Sequence, residues 1–122
     1  EYITIDTIGS TTDFGDLTVA RATLAGVSSP TRGVFGGGSS YSVVMDYITI
    51  STESNAATFG DLSDGRTWLG GLASTSRGVF GGGHDGSAID LTMDYITIDT
   101  LGGAKTFGDL TVARQSLVGV AA

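Results

Sequence analysis

The strongest constraint on this 122-residue chain is that it repeats itself. Asp46-Tyr47-Ile48-Thr49-Ile50 returns as Asp94-Tyr95-Ile96-Thr97-Ile98, and Tyr2-Ile3-Thr4-Ile5 is an earlier copy. Phe14-Gly15-Asp16-Leu17 returns as Phe59-Gly60-Asp61-Leu62 and as Phe107-Gly108-Asp109-Leu110, and Arg32-Gly33-Val34-Phe35-Gly36-Gly37-Gly38 returns as Arg77-Gly78-Val79-Phe80-Gly81-Gly82-Gly83. Successive copies lie 45 or 48 residues apart. A unit this short cannot bury both of its faces alone, so each copy must pack on its neighbours.

The residues inside each unit favour sheet. Twenty glycines, a single proline (Pro30) and frequent Val, Ile, Thr, Tyr and Phe suit twisted, turn-rich strands, and helical periodicity is absent. Within one unit we read four strands: a at Ala22–Ser29, b at Gly33–Gly37, c at Asp46–Ile50 and d at Thr58–Leu62, with Phe59 as an anchor between adjacent units. The order repeats at Thr67–Ser74, Arg77–Gly83, Asp94–Ile98 and Thr106–Leu110. Strand a is small and alternating, as expected where strands crowd around an axis. Four short strands in roughly 40–50 residues predict an all-β chain of four-stranded antiparallel β-propeller blades.

The units run 1–20 (strands c and d), 21–65 and 66–113 (whole blades) and 114–122 (strand a of a further blade). That is a partial array of about 2.7 blades, where a closed ring needs about 4–8. The expectation is a piece of a longer array, its remaining blades supplied by a longer parent chain or by identical chains. The chain opens inside a unit, at Glu1, so the lack of a charged-then-apolar leader carries little weight.

At this point the residues resemble the kelch motif. A hydrophobic strand ends in a glycine pair (Gly36-Gly37, Gly81-Gly82), a tyrosine follows in the next strand (Tyr47, Tyr95), then an outer-strand aromatic and an arginine (Arg66, Arg114). Phe59 and Phe107 stand where kelch sequences usually carry tryptophan, and the acidic-then-proline turn after the tyrosine is missing, so the chain is kelch-like. Phrases such as Phe-Gly-Asp-Leu-Thr-Val-Ala-Arg also resemble repeats in predicted structural proteins of tailed bacteriophages, notably marine ones. That second resemblance implies a virion or extracellular location, in a tail or fibre component.

Charge and composition exclude several functions. A formal charge of −7 with six Lys and Arg argues against binding a phosphate backbone. Without cysteine there are no disulfides and no thiolate metal sites, and the redox compartment stays open. No apolar run approaches the ~20 residues of a membrane-spanning helix, so no membrane insertion is expected. His84 is the only histidine, so neither a metal centre nor a nucleophilic triad can be assembled around a choice of bases, and no cofactor is expected. Asp16, Asp61 and Asp109 recur beside glycine, which suggests turns capped by their carboxylates.

Candidate ligand-binding residues lie where the units differ. After the repeated Arg21, Arg66 and Arg114 come Ala22-Thr23, Thr67-Trp68 and Gln115-Ser116, and the b–c loops carry Ser39-Ser40-Tyr41-Ser42 in one unit and His84-Asp85-Gly86-Ser87 with a three-residue insertion in the next. In an up-and-down blade these turns share one face, at the channel mouth. The candidates are Trp68, Arg21, Arg66, Arg114, Thr67, Gln115, Tyr41, His84 and Asp85. A structural reading stands beside each. The arginines would bond to neighbouring loops rather than meet anions, His84-Asp85 would be a solvated turn, and Trp68 would pack between blades.

The expected function is a non-enzymatic structural and binding module whose partner is a host-surface glycan or protein, or another virion protein. A propeller enzyme of glycan chemistry is the alternative. Galactose-oxidase-like chemistry needs a Tyr-Cys pair, however, and sialidase-like chemistry needs an arginine triad with a tyrosine nucleophile. A synthetic or reconstructed repeat scaffold is a third possibility.

Overall fold

The computed structural model describes residues 1–121 and holds two four-stranded antiparallel sheets, with no helix among those residues. Sheet I comprises β1 (Ala25–Ser28), β2 (Arg32–Gly36), β3 (Val44–Thr49) and β4 (Ala57–Asp61). Sheet II comprises β5 (Gly70–Ala73), β6 (Arg77–Gly81), β7 (Thr92–Thr97) and β8 (Lys105–Asp109). In each sheet the strands pair in chain order, so every connection is a hairpin. The all-β expectation and the strand order a to d within units 21–65 and 66–113 hold.

The two registers are copies of one another. Val27 faces Val34, and Val34 faces Tyr47; in sheet II Leu72 faces Val79, and Val79 faces Tyr95. Arg32 lies over the Tyr47 ring at 4.5 Å and Arg77 over Tyr95 at 4.6 Å, adding a cation–π contact to each cross-strand neighbourhood. The third pairing slips by one residue between Met45 and Asp46, and again between Met93 and Asp94. A bulge of this kind re-aims a side chain. Here it accompanies the full burial of Asp46 and Asp94.

Sheet I meets sheet II along β1, which packs on β5 and β6. The contact is close enough that the backbone itself is the surface. A Cβ on Gly71 would sit 2.7 Å from the Gly26 carbonyl oxygen, and one on Gly119 would sit 2.2 Å from that of Gly71. Glycine stands at these equivalent positions because nothing larger fits. Around this seam Val27, Val34, Met45, Phe59, Leu62 and Leu69 of the first unit and its following turn close on Phe80, Ile96 and Ile98 of the second. Phe59 is braced edge-on by Tyr47 and lies in this core, as an anchor between adjacent units should. At the far side the amides of Gly102 and Ala104 donate to the carbonyls of Phe59 and Asp61, which covers the open edge of β4.

Two expectations do not hold. The segments read as strands c and d within 1–20, and as strand a from Ser116 to Ala121, form no ladder; only a bridge between Tyr2 and Thr12 joins the first pair. Among the described residues eight strands are present where eleven were expected. The physical reason is the missing neighbour: strands a and b that would flank the first pair, and strand b that would pair with the last, are not among the described residues. Asp61 and Asp109 end strands β4 and β8 rather than capping turns.

Candidate functional site

The repeated arginine is the foundation of the loop end of each sheet. Arg21 Nη1 lies 2.6 Å from Asp46 Oδ2, while its Nε and Nη2 donate to the carbonyls of Gly37 and Phe35. Arg66 repeats this one unit on: Nη2 lies 2.5 Å from Asp94 Oδ2, and Nη1 donates to the carbonyl of Thr92. Each aspartate also receives two bonds from the residue three before the arginine, from the amide and hydroxyl of Thr18 to Asp46 and of Ser63 to Asp94. The bulge therefore aims a buried carboxylate at a buried guanidinium, and both are held on several sides. Desolvating two charges is tolerable only with such extensive partnering, and the one gap is the Arg66 Nε, which is buried without the carbonyl partner that the Arg21 Nε has.

This cluster settles where two candidates lie. The guanidinium groups of Arg21 and Arg66 are buried within their own units and present no charge to a ligand at the surface. Arg114 is exposed, and among the described residues no carboxylate reaches it. Sequence reasoning missed the aspartates as partners. The available signal was an acidic residue directly before the repeated tyrosine in every copy, Glu1, Asp46 and Asp94.

Just after each arginine the backbone turns into the left-handed region. Thr23, Trp68 and Ser116 occupy equivalent positions with φ of 58°, 54° and 56°. The amide of Trp68 donates to the carbonyl of Thr23, and the amide of Ser116 to that of Trp68, so a line of backbone bonds steps from unit to unit. Alongside it, Thr67 exchanges two backbone bonds with His84, and the hydroxyls of Thr23 and Thr67 meet at 2.5 Å. The loop carrying His84 is thereby stitched to the loop carrying Trp68.

Three aromatic rings from different loops converge there. Tyr41 and His84 lie 5.9 Å apart with their planes tilted by 34°, and Trp68 meets His84 edge-on at 6.4 Å. Trp68 remains 43% exposed and Tyr41 46%. The packing residue is instead its neighbour Leu69, which is buried. Tyr41 is set by a glycine that the sequence reading passed over: a Cβ on Gly65 would lie 2.0 Å from the Tyr41 carbonyl oxygen. Gly65 stands where the other units carry Ala20 and Ala113, and that break in the repeat was its signal.

The remaining candidates have defined roles or places. Asp85 Oδ1 accepts from the amides of Ser87 and Ala88 at 2.7 Å each, which holds its carboxyl below the ordinary aspartate value of 3.8. His84 Nδ1 accepts from the Gly86 amide at 2.9 Å, so a neutral ring carries its proton on Nε2. Together these bonds fix the insertion loop as a local turn. Gln115 is exposed, next to Ser116, whose amide donates to the Trp68 carbonyl. Among the described residues no group of three or more His, Asp or Glu side chains is arranged to hold a metal ion.

The arrangement is thus an aromatic surface of three rings on a backbone fixed by unit-to-unit hydrogen bonds, with hydroxyls beside it. Comparison with protein-family models and with curated proteins gives no match to this chain.

Proposed function

We propose that this chain is part of a kelch-like β-propeller that acts as a non-enzymatic binding module. It recognises a glycan or a protein on a host surface through Tyr41, His84 and Trp68, as a tail or fibre component of a phage particle. The observation that carries the binding reading is the convergence of the three rings, two of them nearly half exposed, at the end of the sheets where the b–c loops and the residues after the repeated arginine differ between units. Apolar ring faces flanked by hydroxyls suit the C–H and O–H groups of a sugar, and tyrosine and tryptophan suit the centre of a protein interface. The stacked four-stranded sheets, the repeat period and the glycine seam at positions 26, 71 and 119 support the propeller part of the reading.

Trp68 offers a clean test because its left-handed backbone disfavours any side chain with a Cβ. Trp68→Gly removes the ring and relieves the backbone at once. Binding to host cells or to a glycan array is expected to fall by the equivalent of about 2 kcal/mol or more, as for an interface hot spot, with the melting temperature unchanged or raised. Replacing His84–Asp90 by the shorter Ser39–Ser42 loop should weaken binding in the same way. Retained binding in both variants overturns the proposal.

A further inference from the structure

The face of sheet I that points away from sheet II is built like a surface already occupied elsewhere in the molecule. On sheet II, Gly71 and Gly78 receive strand β1 of the preceding unit and Phe80 packs under its β2: a Cβ on Gly78 would lie 2.6 Å from a methyl of Val27, one on Gly71 would strike the Gly26 carbonyl, and one on Gly36 would lie 3.1 Å from the Phe80 ring. Sheet I presents the same three residues at the same spacing, Gly26, Gly33 and Phe35, and no strand of this chain lies over Gly26, which is exposed, while Gly33 is covered by the Ile48 side chain, 3.2 Å from where its Cβ would lie. A Cβ on Gly26 would meet only the Phe35 ring at 3.6 Å, which is ordinary contact. Phe35, with Leu24 and Ile48, borders a cavity of about 580 Å³ on this side, whose other wall is the chain's own segments 1–3 and 14–17.

The complementary strand is also on the molecule. Val118-Gly119-Val120 is the later copy of Ala25-Gly26-Val27, and Val120 stands at the position of Val27. One side of this segment rests on β5, while Val118 and Val120 remain 87% and 86% exposed. Charge agrees with shape. Exposed Arg114 lies four residues before Val118, as buried Arg21 lies four before Ala25, and Glu1 precedes Tyr2 as Asp46 precedes Tyr47.

We infer that the Gly26–Gly33–Phe35 groove of one copy receives the Leu117–Val120 segment of a second copy, with Arg114 of the second facing Glu1 of the first. The contact repeats the β1 part of the internal interface between the sheets, with Val120 over Gly33 as Val27 is over Gly78. It is head-to-tail, so it joins copies into a ring if the rotation closes and into a filament if it does not. The inference shares with the proposed function only the stacking of sheets. It does not involve the aromatic cluster, so either can fail without the other.

Light scattering on the 122-residue protein, coupled to size exclusion, tests it. The wild type is expected to run as an oligomer. Gly26→Ala adds one methyl that the isolated sheet accommodates and the docked strand does not, so it should run at the mass of a single chain with an unchanged circular dichroism spectrum. Val120→Asp, in the exposed segment, should do the same from the other side of the contact. A monomeric wild type across a hundredfold range of concentration overturns the inference. So does an oligomer or aggregate insensitive to both substitutions.

Discussion

Ile98 and Ile50 end the same repeated phrase, yet Ile98 is fully buried and Ile50 is 45% exposed. Phe59 and Phe107 show the reverse, the first 3% exposed and the second 51%. The two sheets have the same strands, registers and bulges, and the difference lies only in which face has a neighbour. Sheet I is covered on the face that sheet II contacts, and sheet II on the face that receives β1. Burial in this molecule is therefore a property of the interface between units more than of any unit. A residue's energetic weight depends on its place in the stack.

The largest difference between the sheets is expected at the seam. Phe80→Ala, at the covered face of sheet II, is expected to lose about 3–5 kcal/mol of stability by denaturant titration, as large-to-small changes in a core do. Phe35→Ala, the same change on the open face, should lose far less in a sample dilute enough to be a single chain. Equal losses would mean that the sheets do not contribute differently and would remove the comparison.

The arginine clusters also differ in weight from unit to unit. Asp94→Ala leaves the buried Arg66 guanidinium without its carboxylate, and breaking a buried pair in this way costs about 3–5 kcal/mol. Arg66 also has Asp90 Oδ2 at 3.6 Å, where the equivalent position in sheet I is Ser42. Asp46→Ala strands Arg21 with no second carboxylate, so it should destabilise somewhat more than Asp94→Ala. Arg114→Ala removes an exposed side chain and should change stability by less than about 0.5 kcal/mol. A large effect at Arg114 in the single chain would contradict the pattern.

The smallest effect belongs to Asp85. Its carboxyl is held low by the Ala88 and Ser87 amides, so the charged form is the one favoured in the folded loop. That contribution is fully present above the unfolded aspartate value and is lost as pH falls through the lowered folded one. Amide chemical shifts of Ser87 and Ala88 should therefore stay constant from neutral pH down to about pH 4 and move only below it. Movement of both amides near pH 6 would show that another group controls the loop.

The strands of both whole units were legible because alternating Val, Phe, Tyr and Ile between glycines admit few other structures, and each appeared twice. The bulge was not legible, because the arginine-to-aspartate spacing differs between units, 25 residues from Arg21 to Asp46 and 28 from Arg66 to Asp94. The insertion that lengthens the second spacing also builds the His84 loop. Trp68, Tyr41 and His84 were each readable as odd residues in a copied scaffold. Their convergence was not, since it brings Tyr41 of one unit against His84 of the next and ties His84 to the Trp68 loop through the Thr67–His84 bridge. The terminal segments misled for a related reason: their sequences are those of strands, but a strand needs a partner to pair with.

The most direct test of the claim that neighbours determine burial is the melting midpoint as a function of protein concentration. Association that covers the open face of sheet I stabilises the folded state by mass action, so the wild-type midpoint should rise steadily over a hundredfold increase in concentration. Gly26→Ala, which blocks that face, should melt at one temperature throughout, close to the dilute wild-type value. Midpoints that do not change with concentration in either protein would contradict the account.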